Sequence, residues 1–388
     1  MTLNTTPNNK QELLQTLSYL EPIKKNKNQI LVDISGIKRY NSKTGIPRVV
    51  LNQLKALQEL KQAVYTVEAI FLSEYPSTQP LHFYEKDKRP ISLQKGDVIY
   101  NPDLDPQSID SATKNNLYTC YKNIGVYIVT LIHDILPITD PEYFVKGQDK
   151  IHTEWFLNIS KISNLLITTS NATKNTIKSF TKEHPPIETI PLGTKELFFK
   201  PNNKPNKDNL NFLVVSTIEP RKGYEQLLDA FEILWDKGFD GSLTIVGKVG
   251  WNVEQIVERI KNYTEKYNLF NYKSFVEDEE LQHLYSSASA LILPSFAEGF
   301  GLPIIEAAHY NLPIIARDID VFHEIAQENA FYFENKKEPN VIVNAVKEWS
   351  ILYEKNEYPK SNNITFYSWE ENVKELLVKI TQTFATSK

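Results

Sequence analysis

The sequence has little of what cross-linked, membrane-spanning or nucleic-acid-coating proteins are made from. One cysteine in 388 residues, Cys120, excludes an internal disulfide framework and any cysteine-based zinc site, and fits a reducing cytoplasm. The longest apolar runs, around residues 164–167 and 288–294, fall far short of the about 20 residues that a bilayer span needs. The opening Met-Thr-Leu-Asn-Thr-Thr-Pro has no basic segment followed by an apolar stretch, so no secretory signal is read there. Basic charge is not in excess. The 43 Lys and Arg stand against 48 Asp and Glu, a net charge of −5 that argues against general nucleic-acid binding. Glycine is scarce too, 13 in the chain, so where glycines cluster the backbone is expected to be needed bare.

What remains is an ordinary globular composition, 41% hydrophobic and 23% charged. At about 100–200 residues per domain, the length implies two or three domains. Charge divides unevenly between the halves: residues 1–200 hold 24 basic against 20 acidic side chains, residues 201–388 hold 19 against 28. A mildly basic first half can lean on an anionic surface or ligand. Leu13, Leu14, Leu17 and Leu20 recur at helical spacing ahead of Lys24, Lys25 and Lys27, read as an N-terminal helix packed on its own domain in preference to a membrane-surface helix.

Apolar runs alternate with helix-period segments: strands are expected at Gln29–Ile34, Ala63–Phe71, Val98–Tyr100, Gly125–Ile132 and Asn164–Thr169. The run Lys200-Pro-Asn-Asn-Lys-Pro-Asn-Lys-Asp-Asn209 then breaks the pattern as a linker does. The alternation restarts with Asn211–Thr217, Ser242–Val246, Tyr272–Val276, Ala290–Leu293 and Pro313–Ala316. This is βαβ alternation twice over, hence an α/β protein of two doubly wound, largely parallel sheets. Near the end, Ser368-Trp-Glu-Glu371 is a capping box opening a helix with Val373, Leu376, Leu377, Ile380 and Phe384 on one stripe.

Four segments carry chemistry. Leu293-Pro-Ser-Phe-Ala-Glu298-Gly-Phe-Gly-Leu-Pro-Ile-Ile-Glu306-Ala ends a strand, passes Gly299 and Gly301, and enters a helix through Pro303. The helix N-terminus suits a phosphate, and the two glutamates suit sugar or ribose hydroxyls. Val215-Ser-Thr-Ile-Glu-Pro-Arg221-Lys222-Gly223 places two cations at a strand's carboxyl end, the crevice where doubly wound sheets bind ligands, as a fork and a point charge for a pyrophosphate. In the first half, Ile132-His133-Asp134 follows a strand, and Thr44-Gly45-Ile46-Pro47-Arg48 opens a helix aimed at the same crevice. Taken one at a time, each also fits a plain strand, turn and helix. No GxGxxG dinucleotide fingerprint is present. Asp103-Leu-Asp105 and Asp318-Ile-Asp320 resemble metal-binding carboxylate triplets. Such short triplets are frequent by chance, so no metal site is expected.

Together, Glu298-Gly-Phe-Gly-Leu-Pro-Ile-Ile-Glu306-Ala, Glu219-Pro-Arg-Lys-Gly, His133-Asp-Ile-Leu-Pro and Thr44-Gly-Ile-Pro-Arg-Val resemble the retaining glycosyltransferases of GT-B fold, family four, also called glycosyl transferases group 1. The first-half motifs are most similar to those of bacterial mannosyl- and rhamnosyltransferases of surface polysaccharide synthesis. Ser216 departs from the pattern, since many relatives have an arginine there, which leaves the pyrophosphate more dependent on Arg221 and Lys222.

The resemblance implies residues 1–200 as an acceptor-side Rossmann-like domain, 201–209 as linker, 210–365 as the nucleotide-sugar domain, and 366–388 as a helix returning to the first domain. It gives Glu306 to the ribose and Glu298 with the Gly299, Phe300, Gly301 and Leu302 backbone to the donor sugar. Arg221 and Lys222 go to the diphosphate, His133 beside the reacting sugar, and Gly45 to close approach of the leaving phosphate. No metal and no cofactor is implied. The nucleotide-diphosphate sugar, with GDP-mannose as the first choice, is a substrate. The acceptor is expected to be a glycan, a lipid-linked molecule or another large acceptor. The basic first half and the lack of a signal or span, not the resemblance, point to the cytoplasm, with peripheral contact at the inner face of the membrane. A nucleotide-sugar epimerase of similar build and a non-catalytic partner subunit are the rival readings.

Overall fold

A computed structural model of the chain describes residues 27–40, 45–60, 64–74, 80–194 and 209–385. The Gln11–Leu20 helix, Thr44, and the linker up to residue 208 lie outside these residues.

The first sheet comprises β1 (Asn28–Asp33), β2 (Tyr65–Glu74), β3 (Pro80–Tyr84), β4 (Val98–Asn101), β5 (Tyr127–Ile132), β6 (Leu165–Thr168) and β7 (Ile187–Thr189). Its order is β3-β2-β1-β4-β5-β6-β7, parallel except for the antiparallel β2–β3 pair. After β8 (Gly193–Thr194), the second sheet is built from β9 (Asn211–Val215), β10 (Ser242–Val246), β11 (Phe270–Lys273), β12 (Ala290–Leu293), β13 (Ile314–Arg317) and β14 (Phe331–Phe333). It runs β11-β10-β9-β12-β13-β14, all parallel. Central strands read as unbroken apolar runs because helices cover both faces, and Ile30, Leu31, Val32, Leu291 and Ile292 are fully buried. Each sheet therefore has two apolar layers, one on either side.

Within the two large sheets, the strands that sequence reasoning passed over are β3, β7 and β14, all at sheet edges; the short pair β8 and β15 (Tyr367–Ser368) was also not expected. β3 holds Pro80 and His82 and β7 holds Glu188 and Thr189, while β14 is apolar but only three residues long, so the periodic signal is weak in each. β11 begins two residues earlier than the expected Tyr272, its Phe270 being the buried member.

The closing helix, Trp369–Ala385, starts where β15 (Tyr367–Ser368) pairs with β8. A Cβ on Gly193 would lie 2.8 Å from Trp369 Cα, so only bare backbone lets the two segments cross. The capping box forms: Ser368 N–H donates to Glu371 at 2.8 Å and Glu371 N–H to Ser368 Oγ at 3.2 Å. The helix buries Val373, Leu376, Ile380 and Phe384 in the first domain's core beside Val49 and Val50. Phe384 stacks on Tyr127 with centroids 3.8 Å apart, and Gln53 Nε2 donates to Asn372 at 2.9 Å. The chain thus crosses back and ties its end to its beginning.

Candidate active site

In each sheet the winding reverses between two neighbouring strands, β1 and β4 in the first and β9 and β12 in the second, and the loops beyond their carboxyl ends diverge into a crevice. β9 and β12 pair Phe212 with Ala290 and Leu213 with Leu291. That pairing brings together the loops that follow them.

Arg221 and Glu298, 77 residues apart, meet at 2.9 Å through Nη1 and Oε2. Arg221 Nε also donates to Glu219 at 2.9 Å, and Nη1 to the Ala297 carbonyl at 2.9 Å. Lys222 Nζ pairs with the other Glu298 oxygen. The loops are also laced through the backbone, Phe296 N–H donating to the Arg221 carbonyl at 2.8 Å. Gly223, at φ 69°, presses its bare Cα against the Pro294 carbonyl, where any side chain would collide. Two cations and two carboxylates are held in a largely buried knot. Burial alone would push the Glu298 carboxyl up, but Lys222 and Arg221 outweigh it and hold it at about 2. Burial and the neighbouring guanidinium both push Lys222 down. Burial pushes Arg221 down as well, yet Glu298 and Glu219 carry it above its ordinary value. Burial raises the Glu219 carboxyl.

Beyond the knot, Gly301 at φ 103° caps the helix Leu302–His309 with Pro303 in its first turn. Glu306, on the second turn, is buried; Tyr285 donates its hydroxyl to Oε2 at 2.7 Å. Its other oxygen takes an ion pair from the opposite domain, Arg48 Nη2 at 2.6 Å. Glu306 thereby raises the Arg48 guanidinium further, against the effect of burial.

Arg48 sits on the first turn of the helix Ile46–Glu59, whose cap is Gly45 at φ 64°, ψ −128°, a conformation only glycine adopts readily. Among the described residues no atom lies within 4 Å of the position a Gly45 Cβ would take. His133 follows β5 and donates from Nε2 to the Pro102 carbonyl at 2.8 Å, which leaves Nδ1 unprotonated in the neutral ring. Burial lowers its pKa. The glycine loop is pressed onto this strand end. A Cβ on Gly299 would collide with the His133 carbonyl, and the hydroxyls of Ser170, Thr169 and Thr173 donate to the Gly299 carbonyl at 2.8, 3.2 and 3.3 Å. Phe300 and Leu302 turn their side chains into the first domain's core, which leaves their backbone as the part able to meet a ligand. Between the domains lies a cavity of about 350 Å³ lined by Asp134, Leu136 and Thr173 on one side and Phe296, Glu298 and Asp318 on the other.

Residues 194–366 match the family described as glycosyl transferases group 1. These residues form a group 1 glycosyltransferase domain. Across 91% of its length the chain is 33% identical to the serotype-specific mannosyltransferase WbdA of Escherichia coli, a match covering 45% of that relative. The chain spans about half the length of the curated relatives it matches. Among solved structures, sucrose-phosphate synthase from Thermosynechococcus elongatus superposes with a TM-score of 0.69 at 17% identity, over 93% of this chain and 100% of that one. The catalytic domain of starch synthase IV from Arabidopsis thaliana, bound to ADP and acarbose, gives 0.66 at 13%, over 93% and 100%. The fold is GT-B: two facing Rossmann-like domains and a closing helix.

The sequence-expected residues of this GT-B crevice come together in two groups, Arg221, Lys222 and Glu298 in one and Gly299 against His133 in the other. Glu306 lies at the same domain boundary, one helix beyond. Of the carboxylate triplets, Asp318 and Asp320 line the same cavity as Glu298, whereas Asp103 and Asp105 do not. Asp105 caps the helix Pro106–Lys114 through Ser108, Asp103 accepts from Ile37 N–H at 2.8 Å, and Asp318 accepts from or pairs with His323 at 2.8 Å. Among the described residues no group of three or more His, Cys, Asp or Glu is arranged to hold a metal ion. Ser216, the one position read as a departure from the family motifs, bonds Tyr224 Oη at 2.8 Å. Sequence reasoning missed Arg48 as the partner of Glu306. Its one signal was a basic residue in the first turn of a helix, where the dipole disfavours it.

Proposed function

We propose that the protein is a retaining, metal-independent hexosyltransferase. It moves mannose from GDP-mannose to a glycan or lipid-linked acceptor of surface polysaccharide synthesis. The observation that carries this reading is the knot of Arg221, Lys222 and Glu298 at the point where the second sheet reverses its winding. In the free protein the cations are balanced by Glu219 and Glu298. A donor diphosphate takes over part of that pairing, and Arg221 has its Nη2 edge left for it, since that nitrogen makes no hydrogen bond among the described residues. As the glycosidic bond breaks, negative charge grows on the departing diphosphate. Fixed cations and a helix N-terminus stabilise it without reorganising. Glu298, partly released, accepts hydroxyls of the donor sugar, and Glu306 accepts the ribose hydroxyls with Tyr285 holding its second oxygen. Mannose is supported by the likeness to the mannosyltransferase WbdA, and a sugar-bearing acceptor by the polar cavity between the domains.

No helix among the described residues is long and apolar enough to cross a membrane. We place the reaction at the cytoplasmic face, with the more basic first half toward anionic lipid, a reading supported by the charge distribution.

The test is incubation of the full chain with GDP-mannose and other nucleotide sugars, with and without short saccharide acceptors. Proton NMR of the product then reads the new linkage. Transfer with the donor's anomeric configuration kept is expected, and His133→Asn should depress turnover far more than affinity for the nucleoside diphosphate. An epimerised donor supports the epimerase reading instead. No reaction with any donor removes the enzyme, and an inverted linkage removes the mechanism.

A further inference from the structure

Arg317, the last residue of β13, is fully buried, yet no carboxylate pairs with it among the described residues. Its charge is met by neutral groups from three separate segments. Nε donates to the Pro294 carbonyl at 3.0 Å, Nη1 to the Lys336 carbonyl at 2.8 Å, and Nη2 to Gln226 Oε1. An isolated buried cation is costly to hold, so a strand that ends on one is a departure from simple core building. The segments it joins are not arbitrary. Pro294 opens the loop that carries Glu298 and is the carbonyl on which Gly223 rests, while Gln226 lies in the helix that follows Arg221 and Lys222. The fork therefore fixes the point where the two donor loops touch.

The guanidinium also lies 3.8 Å from the Phe296 ring centroid. Phe296 is stacked on Tyr143 of the first domain, centroids 6.0 Å apart and planes within 8°. Tyr143 is seated by further contacts across the boundary. Trp251 Nε1 donates to its carbonyl at 3.0 Å, and Phe144 stacks on Trp251 at 5.7 Å. An unbroken column thus runs from the second domain's core through the Glu298 loop to a surface turn of the first domain.

We propose that Arg317 is a positioning residue for sugar transfer, and that the Arg317–Phe296–Tyr143 column couples closure of the two domains to the placement of the Glu298 loop. The inference rests on the transferase reading above. Arg317 touches neither donor nor acceptor; it acts through Pro294 and Phe296. Tyr143 completes the column only when the domains are closed, so the loop reaches its working geometry in the same step that shuts out water.

The experiment uses the full chain and four forms: wild type, Arg317→Lys, Tyr143→Leu and the double variant. Tyr143 is a half-buried surface-turn residue, so that variant folds even if changes at Arg317 disturb the core. Turnover at saturating donor, nucleoside-diphosphate affinity by calorimetry, and thermal midpoint are measured for each. Each single variant should lose about 10- to 100-fold in turnover, as small misplacements of reacting groups do. Nucleoside-diphosphate affinity should stay within about threefold, since the product's contacts with Arg221, Lys222 and Glu306 are not removed. The double variant should be no slower than the slower single one, because both break the same column. Unchanged turnover in either single variant overturns the proposal. Multiplied losses in the double variant, or affinity and midpoint falling in step with turnover, overturn it too. A wild type that acts on no nucleotide sugar sinks the transferase reading and this proposal with it; an active wild type with indifferent variants sinks this proposal alone.

Discussion

Replacing Glu298 by Gln takes one negative charge from between two buried cations while keeping the side chain's shape. The three side chains concerned are 10–14% exposed, so solvent screens them little. A carboxyl held at about 2 in the folded protein, and near its ordinary value of about 4.3 in the unfolded chain, contributes about 3 kcal/mol at neutral pH. Removing one partner of a buried pair costs about 3–5 kcal/mol, so the two routes agree. Because the folded value is the depressed one, this stability is fully present above about pH 5 and lost as the pH falls toward 2. Urea unfolding, followed on the second domain's transition, reads both consequences. Glu298→Gln should lose about 3 kcal/mol at pH 7 and should decline less steeply than wild type from pH 5 to 3. Added nucleoside diphosphate, supplying the missing negative charge, should raise the variant's midpoint more than the wild type's. An unchanged midpoint at pH 7, or pH slopes that run parallel in the two proteins, would refute the charge balance described for the knot.

Arg48→Ala removes the cation that occupies Glu306 in the free protein. An ion pair whose arginine is 36% exposed is screened by solvent and worth about 0.2–1 kcal/mol, so nucleoside-diphosphate affinity in low salt should rise by up to about fivefold, and a fall would make Arg48 a donor ligand instead. Transfer should persist in excess EDTA, assayed by product formation. Loss restored by manganese or magnesium would give Asp103, Asp105, Asp318 or Asp320 a metal to hold. Ile380→Ala, in the closing helix and fully buried, should cost about 2–5 kcal/mol in the first domain's unfolding while nucleotide binding to the second is retained. A cost below about 1 kcal/mol would show that the helix is not part of that core.

Much of the architecture is legible in the chain because it is written in local periodicity. Buried parallel strands such as Leu165–Thr168 and Ala290–Leu293 are continuous apolar runs, and the Ser368–Glu371 box announces its helix four residues at a time. Edge strands are the exception: Pro80–Tyr84 and Phe331–Phe333 are held by one neighbour each, so their sequences carry little pattern. Within the site, the residue types and the glycines mark Glu298, Arg221 and Lys222 from sequence, since bare backbone and paired charges at strand ends have few other uses.

Partnership is a different matter, because it depends on which strands lie side by side. Arg221 meets Glu298 only because β9 and β12 are neighbours across 77 residues of chain. Arg48 meets Glu306, and Tyr143 meets Phe296, only because the two domains face each other. Arg317 looks in the sequence like a stray charge at the end of an apolar strand, and its three acceptors come from segments 19 to 91 residues away. The chain by itself determined its two doubly wound sheets and which charged side chains stand at strand ends, as these follow from composition and spacing along a few residues. Which charges neutralise each other, and which loop each one steers, was decided by tertiary structure, since electrostatics and packing act over a few ångströms of space whatever the distance along the chain.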